Sequence, residues 1–414
     1  MLTEIAGVAV VDLARRFGTP TYVYDAAMIL QRLADLAAFD HVRYAQKACA
    51  NLAVLDLLRR HGALVDAVSA GEIRRALAAG YVAQGDPPPI VYTADIFDAE
   101  SLDLCVQQGI HVNCGSPHMI EQFGRRAPGE QITLRINPGF GHGHSRKTNT
   151  GGDQSKHGIW HEQLADWVAR AQQFGLTVTG LHMHIGSGTD LEHLSQVCVA
   201  MESAAAVVGP TLTSISAGGG LPVPYREGDG YVDLHAYFAL WNAMRQRLAG
   251  RFAHPIGMEI EPGRYLVAES GCLVTEIRAV KRQGGNTFYL LDAGFNNLAR
   301  PILYGSYHPM SIVRADGGAP RPEQEVIVGG PLCESGDIFT QEEGGYVSTR
   351  LLPQANVGDL LVIECAGAYG AVMGSNYNSR PLAAEVLIRD GQPRLIRRRQ
   401  TFDDMVREEL IEDQ

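Results

Sequence analysis

Several familiar signatures are missing from the 414 residues. The seven cysteines (Cys49, Cys105, Cys114, Cys198, Cys272, Cys333 and Cys365) are odd in number and widely scattered, with no CxxC spacing. That argues against a disulfide framework or a zinc ribbon. No apolar run approaches the roughly 18 residues that a transmembrane helix needs. The first residues carry Glu4 and lack the charged-then-apolar layout of a signal peptide. Positive charge is also short: 35 Lys and Arg stand against 46 Asp and Glu, a net charge of −11. Such a surface repels phosphate backbones and anionic lipid, so neither nucleic acid nor membrane is expected as a partner. The one basic run, Arg397-Arg398-Arg399, precedes an acidic tail and reads as a solvated, salt-bridged surface. The expectation is a soluble cytoplasmic protein.

What is present is ordinary globular composition, 45% hydrophobic and 20% charged, with length for about two to three domains. From residue 42, short apolar runs ending in a polar residue or glycine alternate with helix-period stretches. The runs cover 42–47, 64–70, 90–95, 111–116, 132–138, 178–188, 214–220 and 256–263. Amphipathic stretches lie between them, among others at 51–62, 70–81, 161–175 and 232–248. Eight such runs over about 220 residues fit a (β/α)8 TIM barrel. A doubly wound sheet also alternates, but no GxGxxG follows the first run. The connection at 139–160, rich in Gly, His, Ser, Thr and Asn, leaves the fifth run on the face where barrels keep their sites and reads as an active-site cover.

After about residue 270 the period drops to two, at 272–282, 287–294, 325–330, 359–367 and 384–399, with a hairpin signal at Asp390-Gly391. This is an all-β C-terminal domain of Greek-key or sandwich type. The expected division is a barrel over 24–268 and a β domain made of 1–23 and 269–414. Residues 18–24 stand just before the first barrel run and could pair with it.

Barrel chemistry gathers at the C-terminal ends of the strands. Those ends offer Lys47, Asp66, Asn137, His184, Gly218-Gly219-Gly220, and Glu261 with Arg264. The three glycines either make a tight turn or let backbone N–H groups approach an anion closely. Lys47 ends a strand that reads as buried, where an ammonium needs a partner such as Asp66 or Glu261, or serves as a Schiff-base amine. A lysine, a carboxylate and an anion pocket together suit pyridoxal 5'-phosphate. His182 and His184 share a strand face and would allow a metal pair, but no other strand end offers histidine, so no metal is expected. His142, His144, His157 and His161 read as hydrogen-bonding groups of the long loop.

Six motifs occur in order: Tyr44-Ala45-Gln46-Lys47, His184-Ile185-Gly186-Ser187-Gly188, Gly218-Gly219-Gly220, Glu261-Pro262-Gly263-Arg264, Cys333-Glu334-Ser335 and Gly367-Ala368-Tyr369. Together they resemble the fold type III, alanine-racemase-like pyridoxal-phosphate decarboxylases over nearly the whole chain. Within that group the chain is similar to the branch that decarboxylates meso-2,6-diaminopimelate at its D-centre, giving L-lysine and CO2 at the end of bacterial lysine synthesis.

The resemblance implies that Lys47 carries the cofactor aldehyde, His184 stacks on its ring, Glu261 pairs with its pyridine nitrogen, and Asp66 belongs to the cofactor site. It assigns the phosphate to Ser187, Gly220, the Gly263–Arg264 backbone and Tyr369. The substrate falls to Arg264, Arg300, Tyr304, Glu334 and Tyr369. It further implies a homodimer in which Cys333 and Glu334 come from the partner subunit. The residue chemistry agrees: a thiol such as Cys333 can protonate a carbanion, Arg300 can take a second carboxylate in a bidentate way, and Glu334 can take an ammonium. A racemase on the same barrel would not need a distal arginine, and a regulatory relative would not need both Lys47 and Cys333.

Overall fold

The computed structural model describes residues 2–141, 150–184, 186 and 191–412. They divide into two compact units. The barrel unit comprises Leu30–Pro222 and Gly230–Leu266; the β unit comprises the chain up to Ile29, the segment Val223–Asp229, and the described residues from Val267 on.

In the barrel unit eight parallel strands close into a ring: His41–Ala45, Leu64–Ala67, Ile90–Ala94, His111–Cys114, Gln131–Asn137, Thr177–His182, Ser214–Ser216 and Gly257–Ile260, here barrel strands one to eight. Strand eight shuts the ring on strand one, with Glu259 opposite His41 and Ile260 opposite Val42. All eight runs read from the sequence form these strands. Alternation puts Val42, Tyr44, Leu134 and Leu181 on one face, fully or nearly fully buried. The other face is polar, and closure of the ring turns it inward. Arg43, Asp66, Thr93, Asn113, Thr133, Arg135, His182 and Ser216 are all 8% exposed or less.

Barrel interiors are usually filled by bulky branched residues, so a polar filling needs partners, and much of it pairs within the barrel. Arg43 donates from Nη2 and Nε to Glu259 at 2.8 and 3.0 Å and from Nη1 to the Pro88 carbonyl at 2.7 Å. Asn113 Nδ2 donates to Thr93 Oγ1 at 2.8 Å. The loops that leave the strands end on helix caps, as the sequence pattern requires. Ser69 accepts from the Glu72 N–H, Asp98 from that of Ser101, and Ser116 from that of Met119.

The hub of the β unit is the 13-residue strand Gly271–Gln283. Its first half pairs with Thr21–Asp25 and with Leu360–Ile363, and its second half with Asn286–Leu291. Thr21–Asp25 is therefore a strand of the β unit, flanked by Gly271–Gln283 and Ala384–Arg389, and does not join barrel strand one. Its side chains explain this: Tyr22, Val23 and Tyr24 are all buried, so the strand needs cover on both faces. Asp390 and Gly391, both at positive φ, make the expected tight hairpin between Ala384–Arg389 and Gln392–Arg397. Val23, Val274, Val362, Val386 and Ile388 form a core that also takes Val10 and Leu13 from the helix Val10–Phe17. In the basic run, Arg398 Nη2 donates to Asp404 at 2.7 Å and Arg399 Nη2 to Thr21 Oγ1 at 3.1 Å.

Candidate active site

Barrel strand one ends at Ala45, and Lys47 lies in the following 3₁₀ turn Gln46–Ala48. Its side chain is exposed, which corrects the expectation of a buried strand-end lysine. The turn has a local cause: Gln46 Nε2 donates to the carbonyls of Asp66 and Glu72 at 3.3 and 3.1 Å, which fixes the chain where it leaves the strand.

Two buried carboxyl groups, Asp66 and Glu261, are driven apart. Burial, then the Glu261 charge, push Asp66 well above the ordinary carboxyl range, against the pull of Lys47 and a Thr93 hydrogen bond. Burial also opposes ionisation of Glu261. There it is outweighed by the His182 ring, a Ser216 hydrogen bond and the Arg43 charge, so Glu261 is held down as an anion. Glu261 Oε2 accepts from His182 Nε2 at 2.7 Å and Oε1 from Ser216 Oγ at 2.8 Å. Such a split pair is a mark of functional carboxyls. The ring of His184 stands just past barrel strand six, and burial with the nearby Arg135, Lys47 and His182 keeps it deprotonated.

These groups fit pyridoxal phosphate. Asp66 Oδ1 and His184 Nδ1 are buried with no partner among the described residues, as expected of groups that face a ligand. The glycine turn after barrel strand seven has no room for side chains. A Cβ on Gly219 would lie 2.5 Å from the Glu261 carbonyl, and one on Gly220, at φ 103°, would lie 2.2 Å from that of Gly186. Gly263 is buried, and Arg264 opens the short helix Arg264–Val267. Ser187, which the resemblance assigns to the phosphate, lies outside the described residues, as do Gly188 and residues 142–149 of the supposed cover, His142 and His144 among them.

The β unit carries the other residues singled out from the sequence. Arg300 and Tyr304 share the helix Arg300–Tyr304. Arg300 is 6% exposed; its Nη1 donates to Tyr225 Oη at 3.1 Å and to His308 Nε2 at 3.0 Å, and its guanidinium stacks 4.9 Å from the Tyr225 ring centre. Cys333 is the one exposed cysteine; five of the others are buried. Burial pushes the thiols of Cys105 and Cys198 up to about 12, so they are inert core groups. The Cys333 loop is anchored from both sides. Its own N–H donates to Asn378 Oδ1 at 2.7 Å, and Asp337 accepts from the N–H groups of Leu332 and Phe295, each at 2.8 Å. Glu334 is exposed on the same loop, and Tyr369 is half-buried in a left-handed backbone conformation, φ 56°.

Residues 28–268 match the family model for the pyridoxal-binding domain of pyridoxal-dependent decarboxylases. A diaminopimelate decarboxylase of Escherichia coli (strain K12) is 53% identical over 411 residues, 99% of this chain and 98% of that one. The chain belongs to the diaminopimelate decarboxylase family. A crystal structure of a diaminopimelate decarboxylase superposes with a TM-score of 0.95 at 53% identity, covering 97% of this chain and 96% of the other. A Helicobacter pylori diaminopimelate decarboxylase solved with L-lysine superposes at 0.85, with 31% identity and coverage of 96% and 98%. The protein is accordingly a carboxy-lyase that works with pyridoxal phosphate.

For a diaminopimelate decarboxylase the sequence reading left out several residues that shape the site. His182 was weighed only as a metal ligand, yet its Nε2 is committed to Glu261. Ser216 sits within an ordinary strand run and gives no motif. His308 belongs to none of the motifs, and its partners Arg300 and Glu364 are brought together only by folding. Asn137 was noted as a strand end. It closes the neck of the long loop, accepting from the N–H groups of Gly139 and Gly152 at 3.1 and 2.9 Å and donating to the Gly152 carbonyl at 3.0 Å.

Proposed function

We propose that this chain decarboxylates meso-2,6-diaminopimelate at its D-centre to L-lysine and CO2, as a cytoplasmic homodimer with sites shared across the interface. The observation that carries the substrate reading is Arg300, a buried guanidinium held in place by Tyr225 and His308. A fixed guanidinium suits a second carboxylate, which simple diamine-forming decarboxylases have no need to bind. The Helicobacter pylori relative solved with L-lysine supports a product of this shape.

In this reading Lys47 holds the cofactor aldehyde, Glu261 holds a proton at its ring nitrogen, His184 covers its ring, and Asp66 lies beside it. The glycine turn through Gly220, the Gly263–Arg264 backbone, Ser187 and Tyr369 hold its phosphate. When bound, pyridoxal phosphate supplies an electron sink for the pair left on the α-carbon as CO2 departs. Arg300 with Tyr304 takes the distal carboxylate, Arg264 and Tyr369 flank the reacting centre, and Glu334 takes the distal ammonium. By holding both ends, these groups orient the leaving carboxylate. The Cys333 thiol, contributed by the partner subunit, gives a proton to the α-carbon. All seven cysteines are free, which suits a reducing cytoplasm.

The assignment of Lys47 is tested by reducing the yellow protein with borohydride and mapping the modified peptide. The expected result is a label on Lys47 and none on Lys47→Ala; a label elsewhere contradicts it.

A further inference from the structure

Glu261 is gripped at both oxygens. His182, Ser216 and Glu261 come from barrel strands six and seven and the end of strand eight, and each is 6% exposed or less. Ser216 Oγ donates to Oε1 at 2.8 Å while accepting from the Gly218 N–H at 3.2 Å. The Glu261 N–H in turn donates to the Gly218 carbonyl at 2.8 Å. One hydroxyl thus ties the carboxylate to the glycine turn. On the other side His182 Nε2 lies 2.7 Å from Oε2, and its Nδ1 is buried with no partner among the described residues. An ionised carboxylate can only accept, so the ring carries a hydrogen on Nε2 and donates it to Oε2. The other charges felt by this cluster are Arg43 and Arg135, which favour the anion, and Asp66, which opposes it.

We propose that His182 and Ser216 are positioning residues for the decarboxylation: their two hydrogen bonds fix the Glu261 carboxylate, ionised and aimed, at the ring nitrogen of the cofactor. This rests on the assignment of Glu261 to that nitrogen. A carboxylate with two dedicated donors stays an anion in a buried site and cannot rotate away from the nitrogen, whereas one that loses a donor is left partly unsatisfied. The effect therefore belongs to the nitrogen and not to cofactor binding in general.

The test uses apo-protein and two ligands, pyridoxal phosphate and its 1-deaza analogue, in which a CH replaces the ring nitrogen. Binding is followed by quenching of tryptophan fluorescence, and the readout is the ratio of the two affinities. Both ligands are measured on the same preparation, so partial loss of folded protein cancels. The wild-type chain is expected to prefer pyridoxal phosphate. Ser216→Ala and His182→Phe should each lower that preference roughly tenfold, the scale of a hydrogen bond to a charged group. His182→Gln, whose amide still donates, should restore most of it. Unchanged ratios in Ser216→Ala and His182→Phe, with the preference lost in Glu261→Gln, would overturn the positioning role alone. An unchanged ratio in Glu261→Gln would overturn the ring-nitrogen assignment and the proposal with it.

Discussion

Arg300 Nη1 donates to His308 Nε2 at 3.0 Å, and the opposite ring nitrogen of His308 donates to the Glu364 carbonyl, also at 3.0 Å. The carbonyl can only accept, so Nδ1 carries the hydrogen and Nε2 offers its lone pair to the guanidinium. His308 therefore fixes one edge of the Arg300 guanidinium. His308→Ala should raise KM for diaminopimelate about tenfold, the scale of a hydrogen bond to a charged group. The visible spectrum of the bound cofactor should not change. Steady-state kinetics on purified protein checks this; an unchanged KM removes His308 from substrate binding.

Thr150 and Asn137 tie the flanks of the long loop to the barrel. Thr150 Oγ1 donates to the His184 carbonyl at 2.8 Å, and Asn137 bridges Gly139 and Gly152 with three hydrogen bonds. Asn137→Ala should cost about 1–3 kcal/mol of stability, since it leaves three partly buried backbone groups without this partner. Thr150→Val should cost about 1 kcal/mol and lower kcat several-fold through the loosened His184. Denaturant midpoints read the first and turnover the second.

The polar barrel interior makes the stability of the apo-protein depend on pH in an unusual direction. Burial and then the Glu261 charge raise Asp66 from the ordinary 3.8 to about 8. Below 3.8 both folded and unfolded chains hold that proton. Between there and about 8 only the folded chain holds it, so rising pH removes stability, by at most about 1.4 kcal/mol per pH unit for one proton. Glu261 is depressed to about 2, so its contribution is present above the ordinary 4.5 and is lost only as pH falls toward 2, outside this window. Thermal melts of apo-protein should therefore fall in midpoint between pH 5 and pH 8, and Asp66→Asn should flatten that slope. An equal slope in Asp66→Asn contradicts the placement.

The barrel was legible because each parallel strand is a short apolar run with a polar or glycine end, and closure demands eight of them. The strands Met310–Val313 and Arg350–Pro353 were missed: each has four residues, and their pairing depends on partners about 50 and 27 residues away. Lys47, Glu261 and the glycine turn could be read because motif and strand end coincide. The turn that carries Lys47 could not, since Gln46 fastens it to the carbonyls of Asp66 and Glu72. Ser216 and His308 were invisible for the same reason: an ordinary serine and a lone histidine gain meaning only from the atoms folding sets beside them.

The proposed sharing of the site between subunits is tested by complementation. Lys47→Ala and Cys333→Ala should each be nearly inactive alone, while mixed dimers should regain part of the wild-type turnover because one of their two sites carries both wild-type residues. Activity is measured after mixing the two under conditions that exchange subunits. No recovery in verified hybrids would place Cys333 in its own subunit's site or outside the mechanism.

The central claim is the reaction itself, and CO2 release with identification of the product tests it most directly. Purified protein with added pyridoxal phosphate is offered meso-diaminopimelate, its L,L isomer, D- and L-lysine, ornithine and arginine. The account predicts CO2 from the meso compound alone, with L-lysine formed in equal amount. Release from another member of the panel, or none from any, would contradict it.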